Sequence, residues 1–598
     1  MQRHHLIALG LVVLAAGTFS EVPRMDFVDW DDSGNVFDNP HYRKVTCQSV
    51  AELWRRPMLG FYIPVVRTVW AGIAAVSLDP GANAAVDPQP FNPAPFHVAN
   101  LLVHAANVLL VFGILRLLGL KDWPSAAGAA VFAVHPVQVE PVAWVTGLKD
   151  LLSALFALLA LWNYLAFAKQ AHEGGKPSRW RCAVSMLCFA LAVSSKATVV
   201  VLPAIAFALD AGVLGRPWRR SALDLAGWVP ISLAGAGLAL WTDQGATATD
   251  LVAWWQRPFV AGDALAFYLG KLIAPVGIMA HYGRVPAHVM QHWWAWVTWL
   301  APAAMIVALV WARKRAPELT VAGAIFITGL LPVLGLRPYF NQDVGMRFMY
   351  LGMLGAALAV AWAIRRWPTK PMSYLAGAAV VLLAGMSYME SLHWHGTLPL
   401  FERNLEANPG SWAAQNAIGR QRERAGDMAA AEEHYRAALA LNRHYIIAQI
   451  NLGTLLRTRG DFEGAIAVLR DAIETDPLHA EAQYHLGAAY YSAGRFEEAI
   501  APLERAVGPS PGMWQARVML SAVLANTGEL EAALREVRIA IASNPNYALA
   551  YVNMGQTLLR MGREDEAREA FEQARRLGMP LQLPPQGAGA ASTEGGRD

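Results

Sequence analysis

Near the start of the chain four aspartates fall within seven positions, in Met25-Asp-Phe-Val-Asp-Trp-Asp-Asp32: Asp26, Asp29, Asp31 and Asp32. Such a cluster either solvates a loop or supplies a general base. Adjacent Asp31 and Asp32 do not serve equally, because like charge raises the pKa of one and leaves it to position its neighbour or a cation. Further along, polar residues stand between apolar runs: His135, Glu140, Lys149, Asp150, Lys196, Arg337, Tyr339 and Arg347. An ionisable group at the edge of a membrane span is costly, which points to function. The bland alternatives are snorkelling for Lys196 and Arg347, and a locally satisfied imidazole for His135. A base beside several cations suits a lipid-linked phosphosugar. Lys149, Lys196, Arg337 and Arg347 are candidates for its phosphate. A phosphate leaves without a strong general acid. An attacking hydroxyl must lose a proton, which a carboxylate accepts. Arginine stabilises the charge on the departing group, and a single displacement inverts the anomeric carbon.

These residues need a membrane frame. Of 598 residues, 55% are apolar and 16% are charged, against about 25% charged in soluble chains. That excludes a disordered chain and a wholly soluble enzyme. A net charge of +3 is too small for a nucleic-acid footprint. Cys47, Cys182 and Cys188 form no disulfide framework. The histidines show no metal-ligand spacing, so no metal ligand and no firm cofactor is assigned, and a divalent-metal requirement is left open.

Eleven runs are read as spans: 5–20, 96–118, 124–140, 148–169, 180–194, 198–213, 221–241, 293–312, 318–336, 347–364 and 372–390. Basic residues alternate between loops as a fixed orientation requires. The inner loops hold Lys121; Lys169, Lys176, Arg179 and Arg181; Arg216, Arg219 and Arg220; Arg313, Lys314 and Arg315; and Arg365, Arg366 and Lys370. Short outer loops hold only Lys149, Lys196, Arg337 and Arg347. The reading places residues 21–95, the polar cluster and the C-terminal half on the outer, periplasmic side of a bacterial inner membrane. A cleaved leader is the alternative for the first run, and it also leaves residues 21–95 outside. Aromatic stretches such as Trp254-Trp255 and Trp293-Trp294 suit an interface that shapes lipid access.

Residues 412–581 follow another rule. Gly419, Gly453, Gly487, Ser521 and Gly555 are 34 apart, as are Gly426, Gly460, Gly494, Gly528 and Gly562. Ala431, Ala465, Ala499, Ala533 and Ala567 repeat likewise, and so do Ala438, Ala472, Ala506, Ala540 and Ala574. Pro477, Pro511 and Pro545 close three units. This resembles five tetratricopeptide repeats stacked as an α-solenoid. The domain reading is a membrane domain over 1–391, a connector over 392–411, repeats over 412–581 and a disordered tail over 582–598.

The membrane half resembles the transmembrane and tetratricopeptide-repeat O-mannosyltransferases and their bacterial relatives, of the GT-C glycosyltransferase class. The matching segments are FVDWDDSGNVFDNP (27–40), PFHVANLLVHAANVLL (95–110), HPVQVEPVAWVTGLKDLLSALF (135–156), SSKATVVVLP (194–203), LPVLGLRPY (331–339) and VGMRFMYL (344–351). The resemblance implies an all-α fold, a polytopic GT-C-type bundle followed by the solenoid. It also implies a polyprenyl- or dolichyl-phosphate sugar donor and an acid pair that here is Asp31 and Asp32. Polar family positions match Glu140, Lys149, Asp150, Lys196 and Arg347. Two departures stand out. Ser33 replaces a third acid, and Met346-Arg347-Phe348 replaces Asp-Arg-Tyr, which removes an acid that would orient Arg347.

Helix A of each repeat lines a concave groove, and Asn416, Arg420 and Arg424 fall on spacings that face it in the first unit. The alternative is a solvated helix face. The function this implies is transfer of mannose or a similar sugar to Ser or Thr hydroxyls of protein acceptors held by the repeats. Two alternatives are a non-catalytic membrane-anchored scaffold for envelope assembly, and a glycosyltransferase acting on lipid or polysaccharide.

Overall fold

The apolar runs become helices, yet several stop short of a full crossing. The computed structural model describes all residues except 1–2, 56, 59, 80–88, 177, 243–251, 338–343, 509–512 and 581–598. The expected disordered tail therefore lies outside the described residues. Among the described residues there are helices and two isolated bridges but no strand. By contacts the chain divides into two units, Met1–Ile418 and Gly419–Asp598.

In the first unit five helices are long and apolar enough to cross a membrane: Arg3–Arg24, Ala94–Leu117, Val145–His172, Ala295–Ala312 and Lys370–Trp394. A sixth is added if Trp218–Asp224 and Ala226–Thr242, bent by 40°, make one span. Each of the eleven expected segments contains helix; among the described residues five or six are long and apolar enough for a full crossing by themselves, and the others are shorter. Proline explains much of the difference. Asp122–Val134 has 13 residues, about 20 Å at 1.5 Å per residue, against a hydrocarbon core of about 30 Å. It ends where Pro136 removes a donor and pushes His135 into an extended conformation. Pro332 interrupts the next such case, turning the end of Pro317–Leu330 into a 3-10 turn.

After the first break the chain runs through short turns, Pro136–Gln138, Val139–Ala143 and Val145–Gly147, before Leu148–His172 begins. Every residue from 132 to 148 is buried. Irregular backbone at membrane depth persists only where protein groups satisfy it. The donors come largely from one face of Ala94–Leu117, where His97, Asn100, His104 and Asn107 are all fully buried. Asn100 donates to the carbonyls of Val142 (3.3 Å) and Trp144 (2.6 Å). Asn107 donates to Leu151 at 3.0 Å, and His104 meets the Ala133 carbonyl at 3.0 Å. Ser387 donates to Val134 at 2.7 Å.

Residues 392–411, read from sequence as a connector, fold into the first unit. Thr397–Ala407 is a helix, and Trp394, Leu400 and Phe401 join its core.

The second unit explains its own periodicity. Gly460, Gly494, Gly528 and Gly562 take positive φ of 85°, 73°, 93° and 75°, the left-handed geometry that ends a helix. The other glycine series marks close packing: a Cβ at Gly453 would come within 2.5 Å of Leu469, and one at Gly487 within 2.5 Å of Leu503. The repeated alanines, Ala465, Ala499 and Ala533 among them, are fully buried between helices.

Candidate active site

The acid loop lies between Arg3–Thr18 and a π-helical turn, Ser33–Phe37, closed by the Asp38 N–H on the Ser33 carbonyl at 2.9 Å. Such turns are rare and recur at functional sites. Trp30 anchors the loop against Phe401 (5.2 Å between ring centres) and Trp144 (5.9 Å). The two aspartates then part company. Asp32 is fully buried and accepts from the N–H of Val28 (2.9 Å), the N–H of Thr146 (3.0 Å) and the Thr146 hydroxyl. Burial pushes its carboxyl up to about 7, against the downward pull of these donors. Asp32 thus fastens the acid loop to the irregular segment behind it. Asp31 stays 38% exposed and faces the Lys149 ammonium at 3.4 Å.

Two more ion pairs adjoin this one. Lys196 pairs with Asp150, and Arg347 with Glu140, whose second oxygen accepts the Arg347 backbone N–H at 3.1 Å. Glu140 therefore orients Arg347, the task that the missing acid before Arg347 left open. Lys196 is held down to about 8 by burial, although Asp150 favours its charged form. Each cation sits where a helix breaks. Lys149 opens Leu148–His172, Lys196 caps Arg179–Ser195 in an extended conformation, and Arg347 lies in the turn Met346–Met349. A narrow cleft opens here, lined among others by Asp150, Lys196, Arg347, Phe348 and Tyr350. The Tyr350 hydroxyl is tied to His104 (2.8 Å) and Asn107 (3.1 Å).

Other candidates fall elsewhere. His135 is buried, its Nε2 on the Leu272 carbonyl at 3.1 Å and its Nδ1 receiving the Val137 N–H at 3.4 Å, so it secures a chain break. Arg337 is exposed and does not line the cleft. Tyr339 lies outside the described residues. Asn416 is buried, Arg420 partly buried and Arg424 exposed. Among the described residues no three His, Cys, Asp or Glu side chains converge on a metal position. Sequence reasoning passed over Thr146, Trp144, Phe348 and the polar stripe of Ala94–Leu117. The stripe was visible as four polar residues at helical spacing in an apolar run; Trp144 was one of 22 tryptophans with nothing to single it out.

Comparison with known proteins agrees with this architecture. The tetratricopeptide repeat family model matches residues 382–445, 450–513 and 519–580. Human protein O-mannosyl-transferase TMTC4 is 36% identical over 140 residues, covering 21% of this chain and 19% of that protein. A Caenorhabditis elegans protein O-mannosyl-transferase is 23% identical over 364 residues, covering 58% of this chain and 51% of that one. The chain thus spans between a fifth and a half of the length of these relatives. Among solved structures, YrrB, described as a TPR protein with an unusual peptide-binding site, is 21% identical and covers 30% of this chain and 92% of its own, with a TM-score of 0.26. Pseudomonas aeruginosa pilF is 20% identical, covering 28% of this chain and 78% of its own, with a TM-score of 0.27. By sequence, then, the curated relatives of this helical membrane protein are TMTC-type protein O-mannosyl-transferases, and its C-terminal region is a tetratricopeptide-repeat array.

Proposed function

We propose that this chain is an integral-membrane inverting glycosyltransferase. It moves mannose or a similar sugar from a polyprenyl-phosphate donor to Ser or Thr hydroxyls of proteins on the outer face, where the repeats bind the acceptor. The observation that carries the reading is one accessible carboxylate, Asp31, paired with Lys149 and adjoined by two further partly buried, paired cations, Lys196 and Arg347, that line a cleft. In the reaction the acceptor oxygen attacks the anomeric carbon and gives its proton to Asp31. The bond from that carbon to the phosphate oxygen breaks, and the electron pair leaves with the polyprenyl phosphate. Arg347, Lys196 and Lys149 receive the charge that grows on the leaving group. Asp32 keeps the loop in register and stays out of the proton path.

The test is Asp31→Asn and Asp32→Asn in full-length protein, assayed with polyprenyl-phosphate mannose and a Ser/Thr peptide. Asp31→Asn lowers kcat by about 10²–10⁴-fold, the usual contribution of a positioned base, and changes thermal stability by no more than about 1 kcal/mol, as for a partly exposed ion pair. Full transfer by a stable Asp31→Asn protein would refute the assignment.

A further inference from the structure

Three cations of the cluster share two aromatic rings. Lys149 Nζ lies 5.3 Å from the centre of the Trp144 ring, and the Arg347 guanidinium carbon lies 5.4 Å from the same centre. Arg347 is also 4.7 Å from the centre of the Phe348 ring, which Lys196 Nζ approaches to 4.9 Å. The row therefore runs Lys149, Trp144, Arg347, Phe348, Lys196. Three like charges this close repel one another, and the negative faces of the rings offset part of that repulsion where water is scarce.

Each cation also has one carboxylate: Asp31, Glu140 or Asp150. Three positive charges meet three negative ones, so an arriving phosphate must draw the cations from their acids. A cation held by its acid alone would stay with that acid. One that also rests on a ring has a second, neutral support from which to turn. The rings are themselves held. Trp144 is buried, with its carbonyl fixed by Asn100 at 2.6 Å, and Phe348 lines the cleft beside Lys196 and Arg347.

We propose that Trp144 and Phe348 are positioning residues that hold Lys149, Arg347 and Lys196 as one anion-receiving row for the phosphate of a lipid-linked donor. The inference rests on the glycosyltransferase reading above. The experiment compares full-length Phe348→Leu, Phe348→Tyr, Trp144→Leu and Trp144→Phe in lipid nanodiscs, by transfer from polyprenyl-phosphate mannose and by direct binding of undecaprenyl phosphate. Each leucine variant raises KM for the donor and Kd for undecaprenyl phosphate by about tenfold, the scale of a desolvated cation–π contact, and lowers kcat as the row that receives the leaving-group charge loosens. The aromatic variants stay near wild type, which separates loss of the ring face from misfolding. Unchanged KM and Kd in the leucine variants, or aromatic variants as impaired as the leucine ones, would overturn the proposal. Should wild type transfer nothing, the glycosyltransferase reading falls, and binding of undecaprenyl phosphate still decides on the row.

Discussion

Arg216 and Arg347 are both arginines tied to carboxylates inside the first unit, and their surroundings differ in almost every other respect. Arg216 is 3% exposed and clasps Asp210 at 2.9 Å and Asp224 at 2.6 Å, while the Tyr164 hydroxyl donates to the same Asp210 oxygen at 2.7 Å. Both acids close on one guanidinium, the phenol donates to Asp210, and the network pins Leu148–His172 to the loop after Leu202–Gly212. Arg347 has one acid, two ring faces and a cleft beside it, and is 22% exposed. A closed network spends its charge on the fold. An open one keeps its charge available to something that arrives. The charge run around Arg216 was read from sequence only as a marker of the inner side; the geometry makes Arg216 a clasp.

Four changes break or sharpen this contrast. The largest effect on stability is expected for Arg216→Ala, which strands two carboxylates and costs roughly 3–5 kcal/mol, read as a large fall in Tm in detergent. A Tm near wild type would put the closed network outside the stability of the fold. Next comes Asn100→Ala, which removes the donor from two buried carbonyls and costs about 1–3 kcal/mol. It should also raise donor KM, because the irregular segment that carries Trp144 loosens. The third concerns pH. Burial pushes the folded-state pKa of Asp32 up to about 7, above the ordinary aspartate value near 3.8. The native state therefore holds a proton that the unfolded state has released, and stability falls as pH rises from about 4 to 7. Asp32→Asn should flatten that part of the Tm profile relative to wild type; an identical slope in both proteins would disprove the assignment. The smallest thermal effect belongs to Asp31→Asn, paired with the largest loss of transfer.

Much of the site was legible because topology and charge say which loops share a face. Asp31, Asp32, Glu140, Lys149, Asp150, Lys196 and Arg347 all stand out in the sequence, and the structure brings them together. What sequence did not separate was Asp31 from Asp32, since exposure depends on Thr146, which lies 114 residues away from Asp32. Nor did hydropathy distinguish a span from a helix broken halfway. The average over 124–140 is apolar whether or not Pro136 interrupts it, and what pays attention to that break is the hydrogen-bond accounting of the backbone. The repeats were the opposite case. Their glycines and alanines recur at a fixed spacing, so the helix ends and the close contacts could be assigned from sequence position alone.

The segment from His135 to Gly147 sets a constraint of its own. Two of its carbonyls, those of Val142 and Trp144, take their hydrogen bonds from one side chain, Asn100, on a neighbouring helix whose own spacing is fixed by its rise. A side chain can be exchanged there with its consequences confined to the point of change. Adding or deleting a single residue would slide these two carbonyls past the Asn100 amide and leave them buried without that donor. Variation among proteins built on this plan should therefore show in the composition of this stretch and be absent from its length.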